Sequence, residues 1–413
     1  MRKNISKGSE PSRATYEVLE ELVRFMVQKF IQDILDEELA EFLGRRKSER
    51  KMAADARPGY RNGPGRPRKL SLMNGTITVR RPRLRQTNGF ESKVLPLFKR
   101  RTKEVGEMLP ELYLHGLASG DFELAMRGLL GEGAPLSPSS IQRLKGKWQV
   151  EYEAWRNEDL SKVKVVYQWA DGIYVKAGLE KEKAALLVII GATVEGKKRI
   201  LACESGYRES KESWQGVLRG LIGRGLKLGR LTIGDGHLGI WSALGETHPE
   251  GKEQRCWNHK ITNVLDALPK RVRSEAGEYL GRIPYAETKE ECERLRDRFV
   301  ARYGKEYPKA KEKLLNDWQR MVTFYSFPKE HWRHIRTTNV VESPFSSIRL
   351  RTDAARRFKR VDSATAMIWK LLMVAEKNFR MLNGHELLPS VYSGYEFING
   401  VILEKQQEER IAA

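Results

Sequence analysis

Near the start of the chain, Leu19, Leu22, Val23, Met26, Phe30, Ile34 and Leu35 recur at helical spacing, and acids collect in Asp36-Glu37-Glu38. Steps of three and four residues predict an amphipathic helix. Its apolar stripe suits either a dimer contact or packing on its own domain, and the pattern does not choose between them. From Lys103 to Trp155 the period is helical again: Leu109, Leu112 and Leu114, then Phe122, Leu124 and Ala125, then a helix opened by Ser139 or Ser140 after Pro138. Three helices with short turns suit a helix-turn-helix. The third carries Gln142, Arg143, Lys145 and Lys147 on polar positions, as a recognition helix does. A helical connector between domains fits the same pattern.

Beyond Trp155 the period changes. Val163 to Trp169, Ala185 to Ala192 and Arg199 to Glu204 read as strands joined by short hairpins, an antiparallel meander. A helical pattern from Lys211 to Arg224 follows, then an apolar strand opening at Leu231, a helix near Leu238 to Leu244 and a strand at Gln254 to Trp257. Three antiparallel strands followed by alternating helices and strands predict an α/β layer in the RNase H-like order, a mixed sheet with flanking helices. Glu287 to Phe324 is rich in Lys, Glu, Arg and Leu and predicts an all-helical insertion at about residues 260–335. Further on, a helix beginning near Thr338 buries Val341, Phe345 and Ile348 and offers Asn339, Glu342, Ser346 and Arg349 on its other face.

Three acids then stand out by position. Asp171 ends the first strand, Asp235 ends the apolar run Leu231-Thr232-Ile233-Gly234, and Glu342 lies on the open helix face. The chain has 54 acidic residues, so any one of these alone reads as an ordinary solvated carboxylate. Together they suit a hard divalent cation, because Mg²⁺ takes carboxylate and water oxygens and needs few protein ligands. Two such ions about 4 Å apart stabilise both the attacking and the leaving oxygen when a phosphodiester is broken.

Charge changes the picture further. The 413 residues carry a formal charge of +21, with a pI near 9.8, which points to a polyanionic partner bound with counterion release. Nucleic acid is that expected partner, with a basic ribosome- or membrane-associated protein as the bland alternative. Between Arg45 and Lys103 stand nineteen Lys or Arg against three acids, around a strand-like Thr76-Ile77-Thr78-Val79. DNA contacts are expected here, from Arg61, Arg66, Arg68 and Lys69, and on the later helix from Arg143, Lys145 and Lys147. Pro64-Gly65-Arg66-Pro67-Arg68-Lys69 resembles an AT-hook core, an extended segment that lays arginines in an A·T minor groove; a plain basic linker is the alternative, since short basic motifs arise often by chance. Cys203, Cys256 and Cys292 are too few and too unevenly spaced for a disulfide framework, so a reducing cytoplasm is expected. Met1-Arg2-Lys3 leads into polar residues and not into a secretory signal. The apolar run Ala184 to Ala192 is far short of a membrane span.

Trp169-Ala170-Asp171-Gly172-Ile173-Tyr174-Val175, Gly234-Asp235-Gly236-His237 and Arg336-Thr337-Thr338-Asn339-Val340-Val341-Glu342 resemble, in order and surroundings, the Mutator-like family of bacterial insertion-sequence transposases. Gly59-Tyr60-Arg61-Asn62-Gly63 and Gly89-Phe90-Glu91 resemble that family's N-terminal signature, and the likeness runs over roughly residues 15 to 385. It implies an RNase H-like catalytic domain, a DDE triad carried by Asp171, Asp235 and Glu342, and two Mg²⁺ (or Mn²⁺) ions per active site. Cys256-Trp257-Asn258-His259 resembles the C/D(2)H signature that follows the second Asp in such enzymes. A structural zinc is not expected there, since no second Cys/His pair follows. His237, Cys256, His259, Arg336 and Asn339 are expected to contact substrate or the metal surroundings. One departure is Gly116-Leu117-Ala118-Ser119-Gly120-Asp121, where family members commonly read Gly-Met-Ser-Thr-Arg-Asp, so this turn has no basic side chain to offer DNA.

The expected organisation is therefore an N-terminal helix over residues 1–58, a basic DNA-binding region with helix-turn-helix-like helices over 59–157, a catalytic domain over 158–390 and a tail over 391–413. The expected activity is binding of insertion-sequence ends, strand cleavage and strand transfer to target DNA, by a homodimer or higher oligomer acting on the nucleoid. An RNase H-like nuclease or resolvase would use the same acids, and a catalytically dead, transposase-derived DNA-binding protein would keep the basic region. An end-joining assay separates the three.

Overall fold

The computed structural model describes residues 11–50, 58–86, 90–96, 99–117, 121–131, 134, 138–178, 183–206, 208–355 and 357–403. The chain divides into two compact units, Met1–Leu144 and Lys145–Ala413.

The first unit opens with a long helix, α1 (Pro11–Leu43), followed by four short strands, β1 (Tyr60–Pro64), β2 (Arg68–Leu72), β3 (Gly75–Val79) and β4 (Pro82–Arg85). β2 and β3 form an antiparallel hairpin in which Leu72 pairs with Gly75, and β1 pairs antiparallel with β4. Leu35 packs with Leu70, Ile77, Val79 and Leu95, with Val27 and Ile31 beside it. Leu39 and Leu43 are also buried. The line facing the strands is thus Val27, Ile31 and Leu35, which shares Leu35 with the stripe the sequence suggested and otherwise runs beside it. Leu19, Leu22, Val23, Met26 and Phe30 stay 37% to 65% exposed. Two apolar lines lie side by side on one helix, and only the strands it meets select between them.

The hook-like segment joins β1 to β2. Pro64 closes β1 opposite Pro82, Arg68 opens β2 opposite Val79, and the Gly65 amide donates to the Arg81 carbonyl at 2.7 Å. Gly65, Arg66 and Pro67 lie between β1 and β2, so both ends of the segment are held by paired strands. Three helices follow as the periodicity suggested: α2 (Lys103–Leu114), α3 (Phe122–Leu130) and α4 (Pro138–Arg156). The division between the units falls inside α4. Gly89 of the N-terminal signature, the departure at Ala118, Ser119 and Gly120, and residues 404–413 of the expected tail lie outside the described residues.

The second unit is mixed α/β. Its five-stranded sheet comprises β5 (Val165–Val175), β6 (Ala184–Thr193), β7 (Lys198–Gly206), β8 (Leu231–Gly234) and β9 (Lys252–Arg255), in the spatial order β7-β6-β5-β8-β9. β6 pairs antiparallel with both β5 and β7, whereas β8 runs parallel to β5 and β9 parallel to β8. The parallel steps need crossovers. These are α5 (Lys211–Gly223) and α6 (Leu238–Thr247).

The unbroken apolar run of β6 follows from burial on both faces. Leu187 and Ile189 join Trp214, Leu218 and Leu221 of α5 and Ile240, Trp241 and Leu244 of α6 in one core. Leu186, Val188 and Ile190, pointing the opposite way, are equally buried. From Trp257 to Glu342 the chain is helical: α7 (Trp257–Asp266), α8 (Lys270–Arg282), α9 (Lys289–Tyr303), α10 (Pro308–Leu315), α11 (Trp318–Val322), α12 (Trp332–Ile335) and α13 (Asn339–Glu342), with short 3-10 turns between them. Then come α14 (Phe345–Ala355), which packs on α15 (Val361–Glu376), and α16 (Leu388–Tyr392). α13 contacts β5 and β6, and α15 contacts β7. Among the described residues no helix is long and apolar enough to cross a membrane.

Trp214 is 1% exposed where α5 seats on the sheet. Trp214→Ala removes its ring from that core and is expected to cost about 3–5 kcal/mol. Denaturant titration followed by circular dichroism measures this, and a loss below about 1 kcal/mol would contradict the seating of α5.

Candidate active site

The parallel ladder between β5 and β8 is short, pairing Tyr167 with Leu231, Gln168 with Thr232 and Trp169 with Ile233. It is locked by a buried side-chain bond from Gln168 Nε2 to Thr232 Oγ1 at 2.8 Å, while Gln168 Oε1 accepts from the Gly229 amide at 3.2 Å. Two residues beyond the last pair stand Asp171 and Asp235. The register therefore sets them side by side. Asp171 does not end its strand, as the sequence suggested; β5 continues to Val175 and Asp171 pairs with Val188 of β6. What ends is β8, so a notch opens on that edge of β5. Asp171 Oδ1 accepts from the Gly172 amide at 2.7 Å, and Asp235 Oδ1 from the His237 amide at 2.8 Å at the turn into α6.

A third carboxylate enters from the segment between β7 and α5. Glu209 is 5% exposed, and its oxygens lie within 4.8 Å of those of Asp171 and Asp235. It also shares a hydrogen bond with the Tyr174 hydroxyl. The chain makes room for it at two glycines. A β-carbon on Gly172 would overlap the Glu209 carboxylate, and one on Gly239 would overlap its backbone carbonyl.

Glu342 arrives on α13. The continuous helix expected from Thr338 through Arg349 breaks at Ser343 and Pro344, since proline lacks the amide to continue it, and α14 restarts at Phe345. Val341, Phe345 and Ile348 are buried and Asn339, Ser346 and Arg349 exposed, as the face pattern indicated. The Thr338 hydroxyl bonds the Glu342 carboxylate, whose oxygen lies 3.8 Å from His259 Nδ1. The Thr338 amide donates to Cys256 Sγ at 3.3 Å. Cys256, at the end of β9, and His259, one turn into α7, thus gather around Glu342, with all three donor atoms within 4.8 Å. Cys256 is anchored to the sheet by its amide bond to the Gly234 carbonyl at 2.8 Å.

Burial first, and crowding of like charges after it, shows in the protonation equilibria of the acids. Burial pushes the Asp171 carboxyl up to about 7 against the opposing Gly172 hydrogen bond, and the charges of Asp235, Glu209 and Glu342 add to the rise. Burial, then Asp235, raises Glu209. Hydrogen bonding to Cys256 lifts His259 to about 9 despite burial, and Glu342 and Asp235 contribute. At neutral pH that imidazole is a cation and a donor.

The donor chemistry fits a hard cation on one side. Asp171, Glu209 and Asp235 offer only oxygens, as Mg²⁺ or Mn²⁺ prefers. Cys256, His259 and Glu342 make three donors where a structural zinc takes four.

The other sequence-derived residues divide. His237 is exposed beside this group, and its charge acts on Glu209. Asn339 accepts from Asn258 Nδ2 at 3.0 Å on the open surface. Arg336 turns away: its guanidinium bonds the Pro284 carbonyl and lies 4.2 Å over the Tyr285 ring. Arg66, Lys69, Arg143 and Lys147 are exposed, whereas Arg61, Arg68 and Lys145 are half-buried. Glu209, Tyr174 and Thr338 were not singled out in the sequence. Glu209 precedes Ser210, which caps α5 by accepting from the Ser213 amide, so it reads as an ordinary polar residue before a helix.

The chain matches the family described as Transposase, Mutator family, over residues 2–381. It is similar to the transposase for insertion sequence element IS6120 of Mycolicibacterium smegmatis, 43% identical over 73% of this chain and 93% of that one. It is also similar to the transposase for insertion sequence element IST2 of Acidithiobacillus ferrooxidans, 40% identical over 67% of this chain and 94% of that one. The transposase for insertion sequence element ISRM5 of Rhizobium meliloti (strain 1021) is 27% identical over 92% of this chain and 94% of its own.

Asp171 keeps its proton up to about 7 in the metal-free fold and releases it near 4 in an unfolded chain. A carboxyl raised in this way favours the fold below the unfolded value, and that contribution is lost as pH rises through about 7. Metal-free protein is therefore expected to lose stability from this group between about pH 4 and pH 7, and Asp171→Asn to flatten that slope. If Mg²⁺ binds at Asp171, added Mg²⁺ should raise the melting temperature more at about pH 8 than at about pH 6, because the cation would compete with the proton. Thermal melts in chelator and in MgCl₂ read this; an unchanged slope in Asp171→Asn would assign the pH dependence to other groups.

Proposed function

Because the chain belongs to the Mutator family of transposases, we propose that it binds the ends of an insertion sequence and carries out divalent-metal-dependent strand cleavage and strand transfer. In this reading Asp171, Asp235 and Glu342 are the metal-holding triad. The observation that carries it is the β5–β8 register, which sets Asp171 and Asp235 side by side while the charge of Glu342 acts on Asp171. When bound, two Mg²⁺ or Mn²⁺ ions supply charge stabilisation to both the attacking and the leaving oxygen of the phosphodiester.

The chain's own residues do the positioning. Asp171 and Asp235 present oxygens from rigid strand edges, and Glu342 approaches from the helical side. Thr338, fixed by Cys256 and bonded to Glu342, orients that carboxylate. His259, cationic and 40% exposed, suits a DNA phosphate or the leaving oxygen. His237 and Asn339 stand exposed nearby for the same strand. The order of three antiparallel strands followed by two parallel ones supports an RNase H-like catalytic domain, and the run from α7 to α12 an all-helical insertion within it. The basic strands of the first unit and the exposed polar face of α4 are the surfaces proposed to hold transposon ends, with the active protein a dimer or higher oligomer on DNA in the cytoplasm. A nuclease or resolvase would cleave with the same acids but would not join a transposon end to target DNA.

Asp171→Asn, Asp235→Asn and Glu342→Gln are each expected to lower cleavage and strand transfer by at least about a thousandfold, while binding of transposon ends stays within about twofold. A Mg²⁺-dependent end-joining assay and a gel-shift titration measure the two; normal transfer by any one variant removes that residue from the triad.

Arg143→Ala and Lys147→Ala are expected to weaken DNA binding evenly across sequences, each lowering the salt slope by about one if its side chain neutralises one phosphate. Arg66→Ala should weaken binding selectively at A·T-rich sites if its side chain enters the minor groove. Titrations of the full chain from tens to hundreds of millimolar salt separate these effects, and unchanged affinity in all three variants would move the DNA surface elsewhere.

A further inference from the structure

We infer that Glu209 is a fourth carboxylate of the cation site, sharing a divalent ion with Asp171 and Asp235. The inference rests on the reading of those two acids as metal ligands. Three observations carry it. The first is proximity, since one carboxylate oxygen from each of Asp171, Glu209 and Asp235 lies within 4.8 Å of the others, close to the span of the oxygen shell around one divalent ion, whose bonds are about 2.0–2.6 Å.

The second is burial. Glu209 is 5% exposed, and an ionised carboxylate taken that far out of water needs a compensating charge. Two further acids crowd it, and the Tyr174 hydroxyl and the imidazoles of His237 and His259 oppose burial and Asp235 only in part, since Glu209 stays raised. A divalent cation is the group that offsets this.

The third is the accommodation made for it. Gly172 follows Asp171 directly, and Gly239 comes four residues after Asp235. Both lie against Glu209 so closely that any side chain would collide with it, Gly172 against the carboxylate and Gly239 against the backbone. The two segments that carry the sequence-derived acids are thus shaped around this third one. Gly172 is the one that clears the carboxylate itself, whereas Gly239 clears the backbone of Glu209, Ser210 and Lys211, and capping of α5 is performed by Ser210.

Glu209 therefore completes an oxygen-only group with Asp171 and Asp235, while Glu342 stands in a separate group with His259 and Cys256.

The test is Mn²⁺ binding to the full chain without DNA, by isothermal titration calorimetry with stoichiometry read from electron paramagnetic resonance. Glu209→Gln keeps the shape and an oxygen acceptor for Tyr174 but removes the charge. It is expected to raise the Mn²⁺ dissociation constant roughly tenfold or more, or to lose one bound ion, while transposon-end binding in chelator stays unchanged. A residue that only braces α5 would leave Mn²⁺ affinity untouched. Glu209→Asp keeps the charge and is expected to fall between wild type and Glu209→Gln; if Glu209→Gln does not fold, Glu209→Asp at wild-type affinity overturns the inference by itself. Asp171→Asn and Asp235→Asn run alongside. If these two lose Mn²⁺ and Glu209→Gln binds as wild type, Glu209 is not a ligand and the triad reading stands. If none of the three variants changes Mn²⁺ binding, the triad reading fails with it.

Discussion

The parallel pairing of β5 with β8 is the constraint on which the site depends. It consists of three residue pairs and one buried amide-to-hydroxyl bond, Gln168 to Thr232. A slip of one residue would turn Asp171 to the opposite face of the sheet, because side chains alternate with period two. The register cannot slip cheaply: Trp169 and Tyr167 are fully buried on β5 and Leu231 and Ile233 on β8, and a slip would leave the buried Gln168 and Thr232 without each other. Apolar packing on both sheet faces therefore sets the position of two carboxylates that contribute nothing to that packing.

Gathering acids in this way costs stability, and the structure shows where the cost is met. Asp171 resists ionisation in the metal-free fold because burial and three neighbouring acids oppose its charge. The strands, α5 and α13 that deliver the acids are anchored by large buried side chains, among them Trp214, Trp169 and Phe345. Rigid delivery matters because a loop would let the carboxylates move apart and relax into solvent. His259 adds a positive charge beside Glu342, and the Thr338 bridge ties that acid to Cys256 at the end of β9. One network thus joins the second parallel strand edge to the helical acid.

The first unit manages charge differently. Its arginines and lysines sit on short paired strands over a small apolar core supplied by α1. Arg68 is held below its usual range by burial and by the nearby Arg81 and Arg100. Repulsion of that kind is relieved by a polyanion, and pairing fixes the strands that carry it. The apolar line of α1 from Leu19 to Phe30 stays open to solvent among the described residues.

Local periodicity was enough to read most of the elements. The unbroken apolar run of β6, the apolar-rich runs of β5 and β7, the helices α2, α5 and α6, and the buried face of Val341, Phe345 and Ile348 all follow from neighbours in sequence, since period and burial are local properties. Asp171, Asp235 and Glu342 were legible because each stands in a distinctive run of residues. Strands β1, β2 and β4 were not, being short, rich in Arg, Gly and Pro and stabilised by partners rather than by their own composition. Which line of α1 is buried, where the helix after Thr338 breaks, and where Arg336 turns were likewise settled by contacts with distant segments. Glu209 is the clearest case. Nothing beside it in the chain distinguishes it from a residue ahead of a helix cap, and its role depends on Gly172 and Gly239, brought to it across the sheet by packing that no local pattern encodes.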